Sequence, residues 1–197
     1  YKRQCPAFGM SRRALMLSSL ATAALWPVGA DLALAQDAPP AGPAPESAAA
    51  ARDAVEAIRD QILRISREVW ETPELSLHEE ISHQIHIREL EAAGFTITSR
   101  GTSNIPTAFV AEWSQGEGGA KVGFLPEYDA LPGLGNAAEP RQAPGPKGTE
   151  VGHGCGHNQL GAGCTGAAIA LKAMMTADGT PGLIRVYGLS LIHISEP

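Results

Sequence analysis

Apolar residues recur through the first half of the chain at helical spacing: Val55, Ile58, Ile62, Ile65 and Val69 follow one another at intervals of three or four. That period lines one face of a helix, so the pattern predicts an amphipathic helix from about Ser47 to Trp70. Thr72-Pro73 closes it, because proline lacks an N–H and holds the residue before it out of helical conformation. Ile81, Ile85, Ile87 and Leu90 repeat the period and predict a second helix over Glu79–Ala93, with Gly94 standing where a helix C-terminal glycine belongs.

Beyond Gly94 the period changes from helical to alternating. Phe95–Ser99 and Thr107–Trp113 alternate apolar with polar residues and predict two strands, and Lys121–Leu125 predicts a third. The glycine-rich link Gln115–Ala120 predicts a hairpin between the second and third strands. Asn136–Val151, rich in Pro, Gly and charge, has no period and reads as a long functional loop. Leu160–Ala177, with Ala167, Ala168, Leu171, Met174 and Met175, predicts a helix of small residues, and Leu183–Tyr187 a short apolar strand. Helices alternating with strands give an α/β fold: a layered mixed sheet with helices on both faces.

The amino-terminal region has a different character. Met10 and Ser11-Arg12-Arg13 precede an uncharged stretch, Ala14–Trp26, and then Ala33-Leu34-Ala35. This basic, apolar, small-x-small order predicts an exported protein, periplasmic or secreted, with a signal over residues 10–35. The paired arginines favour the twin-arginine route over the ordinary secretory one. Residues 1–9 then read as upstream translation, and residues 36–50 as a linker, of which Gln36–Glu46 is almost wholly Pro, Ala, Gly and acid. The folded part is expected over residues 51–188. Ala14–Ala30 is short for a membrane span and no other stretch is expected to come close, so no span is predicted after the signal.

Charge narrows the partners. Removing residues 1–35 takes away four basic groups and one acid, which moves the formal charge from −6 to −9. An acidic chain without a basic patch has nothing to hold phosphates, which excludes nucleic acid and leaves small molecules.

Gly152–Gly163 carries the candidate chemistry. His153, Cys155 and His157 alternate with glycine just before the small-residue helix, and on extended backbone all three side chains would point to one side. Imidazole with thiolate suits zinc and neighbouring transition metals. Glu127 and Asp129, at the end of the third predicted strand, are placed to ligate a metal or to orient a ligating histidine. Competing readings stay open from the residues alone. Asp129 serves equally as a turn cap; Cys155 could pair with Cys164; Cys155 could be a nucleophile with His153 or His157 as its base. A non-catalytic module holding a structural ion is another.

Three segments in order carry a resemblance. Trp70-Glu71-Thr72-Pro73-Glu74-Leu75-Ser76, Glu127–Pro132 and Gly152–Gly161 resemble the Trp-x-x-Pro-Glu-Leu-Ser, Asp-Ala-Leu-Pro and Cys-Gly-His elements of the M20 metallopeptidases. Asn158 is similar to the aminobenzoyl-glutamate hydrolase-like branch, and the match runs from about Ala51 to Gly188. The resemblance implies an amidohydrolase with two divalent metals, zinc or manganese. Its substrates would be N-acyl amino acids or aminobenzoyl-glutamate-like compounds, and its full-length form a homodimer. It implies Cys155 and His157 as metal ligands and Asp129 as the active-site aspartate, with His153 and Glu127 ranked behind them. Residues 189–197 resemble no part of the family and read as an artefactual tail, so the chain is expected to be an inactive amino-terminal fragment of poor solubility.

Overall fold

A computed structural model describes residues 45–101 and 104–189. Its elements are α1 (Pro45–Glu56), α2 (Arg59–Glu71), α3 (Ser82–Ala92), β1 (Thr96–Arg100), β2 (Phe109–Gln115), β3 (Ala120–Phe124), α4 (His157–Asp178) and β4 (Gly182–Gly188). The expected upstream residues 1–9, the export signal over 10–35, the linker as far as residue 44 and the tail from residue 190 lie outside the described residues.

The first apolar stripe forms two helices where one was expected. A turn at Ala57 and Ile58 separates α1 from α2, with the Ile58 N–H donating to the Val55 carbonyl three residues back. Periodicity cannot register such a break, because the stripe resumes in phase: Ile58 and Ile62 still pack on the core, and Ile65 and Val69 are fully buried. α1 also begins at Pro45, inside the stretch read as linker. Its run of alanines is as favourable for helix as it is simple in composition. α3 starts three residues later than expected and ends in a Schellman arrangement, with Gly94 N–H donating to Glu91 and Phe95 N–H to Leu90.

The sheet has the order β1-β2-β4-β3. β2 pairs antiparallel with both β1 and β4, and β3 runs parallel to β4. The expected β2–β3 hairpin is therefore absent, since β4 lies between the two strands. Alternation specifies a strand without specifying its partner. β4, whose Ile184 and Val186 are fully buried, takes an interior position where both of its edges are paired. The glycine-rich link serves close passage instead of a tight turn: a Cβ on Gly119, at φ +77°, would lie 2.0 Å from the Pro181 carbonyl oxygen at the entrance to β4.

One face of the sheet builds the core. Ile97, Phe109, Ala111, Trp113, Phe124, Ile184 and Val186 pack against Ile85, Ile87 and Leu90 of α3 and Ala162, Ala168, Ile169 and Met175 of α4. The opposite face carries Val110, Glu112, Leu183, Arg185 and Tyr187, all half-buried, with Arg185 paired to Glu112 at 2.6 Å. In the described residues the helices thus form a layer on one face, and the mixed sheet is as expected. α4 corrects the expectation that no later stretch approaches a membrane span, for it is long and apolar enough by length and composition. Its apolar side is spent on the core, against α1, α2 and the sheet.

Candidate metal centre

Isolated backbone bridges bring the three sequence motifs to one place. Past β3 the chain stays extended through Asp129, and Glu127 bridges to Leu189 at the end of β4. Ala130 pairs with Leu75, its N–H donating to the Glu74 carbonyl at 2.7 Å. Leu131 and Gly152 exchange two hydrogen bonds of 3.0 Å each. The Glu74 carboxylate meanwhile accepts from the N–H groups of Ile81 and Ser82 and from the Ser82 hydroxyl, an anion on the positive end of α3. One glutamate therefore ties the start of α3 to the loop that carries Asp129.

α4 opens at His157, after Gly156 at φ +85°, and the imidazole is almost completely buried. Its Nδ1 lies 2.9 Å from Asp129 Oδ1 and its Nε2 lies 3.2 Å from Glu127 Oε2. Asp129 is itself buried, and one donor atom each from Glu127, Asp129 and His157 falls within 4.8 Å of the others. A neutral imidazole donates from one ring nitrogen only. With Nδ1–H directed to Asp129, the Nε2 lone pair faces a second carboxylate, and two acceptors this close are held together by a shared proton or by a cation. The donor set of imidazole and carboxylate fits the latter, and a carboxylate on the remote nitrogen is the usual way a ligating histidine is oriented.

The other candidates are placed differently. Gly154 and Cys155 form a turn in which the Gly156 N–H returns to the His153 carbonyl at 2.9 Å, so the backbone is not extended through the run. Alternation along an extended strand therefore does not govern where these three side chains lie. Cys155 is exposed and lies outside the group of three. His153 sets Nε2 3.2 Å from the Val69 carbonyl, leaves Nδ1 buried without a partner, and has its pKa lowered by burial. Cys164 is half-buried in α4 with its thiol pushed up by burial, and the two cysteines are free of one another. Sequence reasoning did not single out Glu74 as a cap or Tyr128 as a core residue. The first was legible as an acid seven and eight residues before a helix start, the second only from the fold.

No family model matches the chain. It is 42% identical over 136 residues to a p-aminobenzoyl-glutamate hydrolase chain of Escherichia coli (strain K12), covering 69% of this chain and 28% of that protein. It is 31% identical over 139 residues to the human Xaa-Arg dipeptidase, covering 66% of this chain and 28% of the other. The chain thus spans less than a third of the length of these curated relatives. Its fold is similar to that of a protein from methicillin-resistant Staphylococcus aureus described as an aminohydrolase, at TM-score 0.60 and 21% identity over 75% of this chain and 36% of that one. It is also similar to that of the Bacillus subtilis YXEP protein, described as a dinuclear metal-binding peptidase of the M20 family. There the TM-score is 0.51 and the identity 24%, over 68% of this chain and 35% of that one.

Proposed function

We propose that this chain, an M20 aminobenzoyl-glutamate hydrolase-like sequence, carries part of the metal centre of an amidohydrolase. The reaction is hydrolysis of the amide bond in N-acyl amino acids, dipeptides or aminobenzoyl-glutamate-like compounds, the last two being the substrates in the relatives' names. The single observation that carries the reading is the Nε2–Glu127 approach of 3.2 Å on a ring whose Nδ1 is already engaged by Asp129.

In this reading His157 Nε2 and Glu127 are donors to a divalent cation, zinc or manganese. Cys155, the thiol two residues before that imidazole, is a further donor, and His153 ranks behind it. Asp129 fixes the tautomer and direction of His157 by accepting its Nδ1–H. Glu127 contributes negative charge that favours a cation in the site. When bound, such an ion supplies Lewis-acid polarisation of a carbonyl and a water of lowered pKa. The cysteine-nucleophile reading is disfavoured because both ring nitrogens of His157 face carboxylates and His153 Nε2 faces the Val69 carbonyl. The basic, apolar, small-residue order over 10–35 supports export of the protein to the periplasm by the twin-arginine route.

The test is metal content and metal titration of the purified 197-residue chain. We expect stoichiometric zinc or manganese, removal by a chelator, and at least tenfold weaker binding in His157→Ala and Glu127→Gln. Asp129→Asn should weaken binding less, since it disturbs orientation and removes no donor. A chain that takes up no divalent ion, or that binds it equally well without His157, overturns the reading.

A further inference from the structure

Between the two acids stands a residue the metal reading leaves unused. Along extended backbone, successive side chains leave on opposite sides. Glu127 and Asp129 reach His157, whereas Tyr128 turns the other way and is fully buried. Its ring lies nearly parallel to Phe109, at 6.3 Å and 7°, and 5.3 Å from the tilted ring of His86. Its hydroxyl donates to the Thr107 carbonyl at 2.6 Å, and the Thr107 hydroxyl donates to the Glu79 carboxylate at 2.5 Å. His86 in turn joins Nδ1 to the Thr165 hydroxyl on α4, at 2.9 Å. Glu79, His86, Thr107 and Thr165 are all buried.

Buried polar groups on this scale cost desolvation, and a well-packed apolar core of the same shape is commonly as stable. What they add is direction, because a hydrogen bond fixes position where apolar packing tolerates sliding. We infer that Tyr128 is a positioning residue: its hydroxyl bond to Thr107 holds the 126–129 backbone in the one placement that brings both flanking carboxylates onto His157. The inference rests on the proposed metal centre and adds to it what sets its geometry. Ligand distances tolerate about 0.2 Å, so a strand shift of half an ångström suffices to lose the cation.

The experiment uses Tyr128→Phe, which keeps the ring and its stacking and removes only the hydroxyl. Cobalt(II) binding to the full chain is read by absorbance titration, with melting temperature measured alongside. We expect about tenfold weaker cobalt binding, in line with loss of a residue that orients ligands. Because the variant also loses stability, it is combined with Gly163→Ala, at a helix position where an added Cβ meets nothing within 4 Å. The double variant should recover the melting temperature and keep the weak affinity. Leu90→Ala, a core truncation outside the Tyr128 network, should melt lower and bind cobalt as the parent does. Recovery of affinity together with stability, or unchanged affinity in Tyr128→Phe, overturns the inference and leaves the metal centre standing. A parent chain that binds no cobalt overturns both.

Discussion

At Gly161 the backbone of α4 passes close to the segment bearing the acids, and replacing it with alanine tests that approach directly. A Cβ there would lie 2.2 Å from the Glu127 carbonyl oxygen and 3.1 Å from His86 Cε1 and Nε2. The first distance is more than roughly 1 Å short of ordinary van der Waals contact. The obstructing atom is main chain, so no rotamer change relieves it and helix and strand must separate. Overpacking of this kind costs about 3 kcal/mol, at the upper end of the usual range, while alanine in a helix regains about 1 kcal/mol over glycine. The net loss is about 2 kcal/mol, or roughly 4–8 °C in melting temperature for a body of this size. An opening of about 1 Å is several times what a metal site tolerates, so cobalt binding should fall more than tenfold. Gly163, two residues on with no atom within 4 Å of its added Cβ, is the internal control and should gain about 0.5–1 kcal/mol as alanine. Calorimetric melting and a metal titration on the two variants decide the matter. If Gly161→Ala melts with the parent and binds metal as tightly, the close approach does not set the site.

Glu89 ties α3 to α2, accepting from Arg64 at 2.8 and 3.0 Å, from Arg88 and from Gln61. Burial pushes its carboxyl up, but the donors from Arg64, Arg88 and Gln61 outweigh this and hold it at about 2. Its contribution is therefore present above the ordinary carboxylate pKa of about 4.5 and lost as pH falls through about 2. Glu89→Gln should cost about 2 kcal/mol at pH 7, less than a fully buried pair because Arg64 is half exposed, and urea midpoints should approach the parent's only as pH falls to about 2. His86 behaves differently: burial lowers its pKa from 6.5 to about 3 and keeps it neutral in the fold. The unfolded chain takes up that proton first, so stability falls as pH drops from 6.5 toward 3. His86→Gln should flatten this slope, and identical slopes in parent and variant would refute the assignment. Glu74→Ala, which strips the cap from α3, should lower stability by about 1–2 kcal/mol by chemical denaturation, and a loss within error of zero would count against the capping role.

Much of the local structure was legible in short range. The spacing of Ile85, Ile87 and Leu90 marked α3, and Gly94 marked its end, because helix periodicity and a left-handed cap are properties of neighbouring residues. Asp129 and His157 were both singled out as chemical candidates from their residue type and position near element ends. That the two meet depends on Leu131 pairing with Gly152, an association between segments 21 residues apart, which local pattern does not encode. The turn between His153 and Gly156 was hidden for a related reason. Two residues share a side only while the backbone stays extended, and here a turn and then a helix intervene.

Taken alone, the amino-acid order determined which segments are helix or strand, where most of them stop, and which side chains have the chemistry to hold a cation. Those properties follow from residue type and from contacts within a turn or two. The fold decided the placement of β4 between β2 and β3, the assembly of Glu127 and Asp129 about one imidazole, and the burial of Tyr128 and His86 beneath them. Each of these results from competition among distant segments for the same interior, where burial and hydrogen-bond satisfaction are settled for the whole body at once.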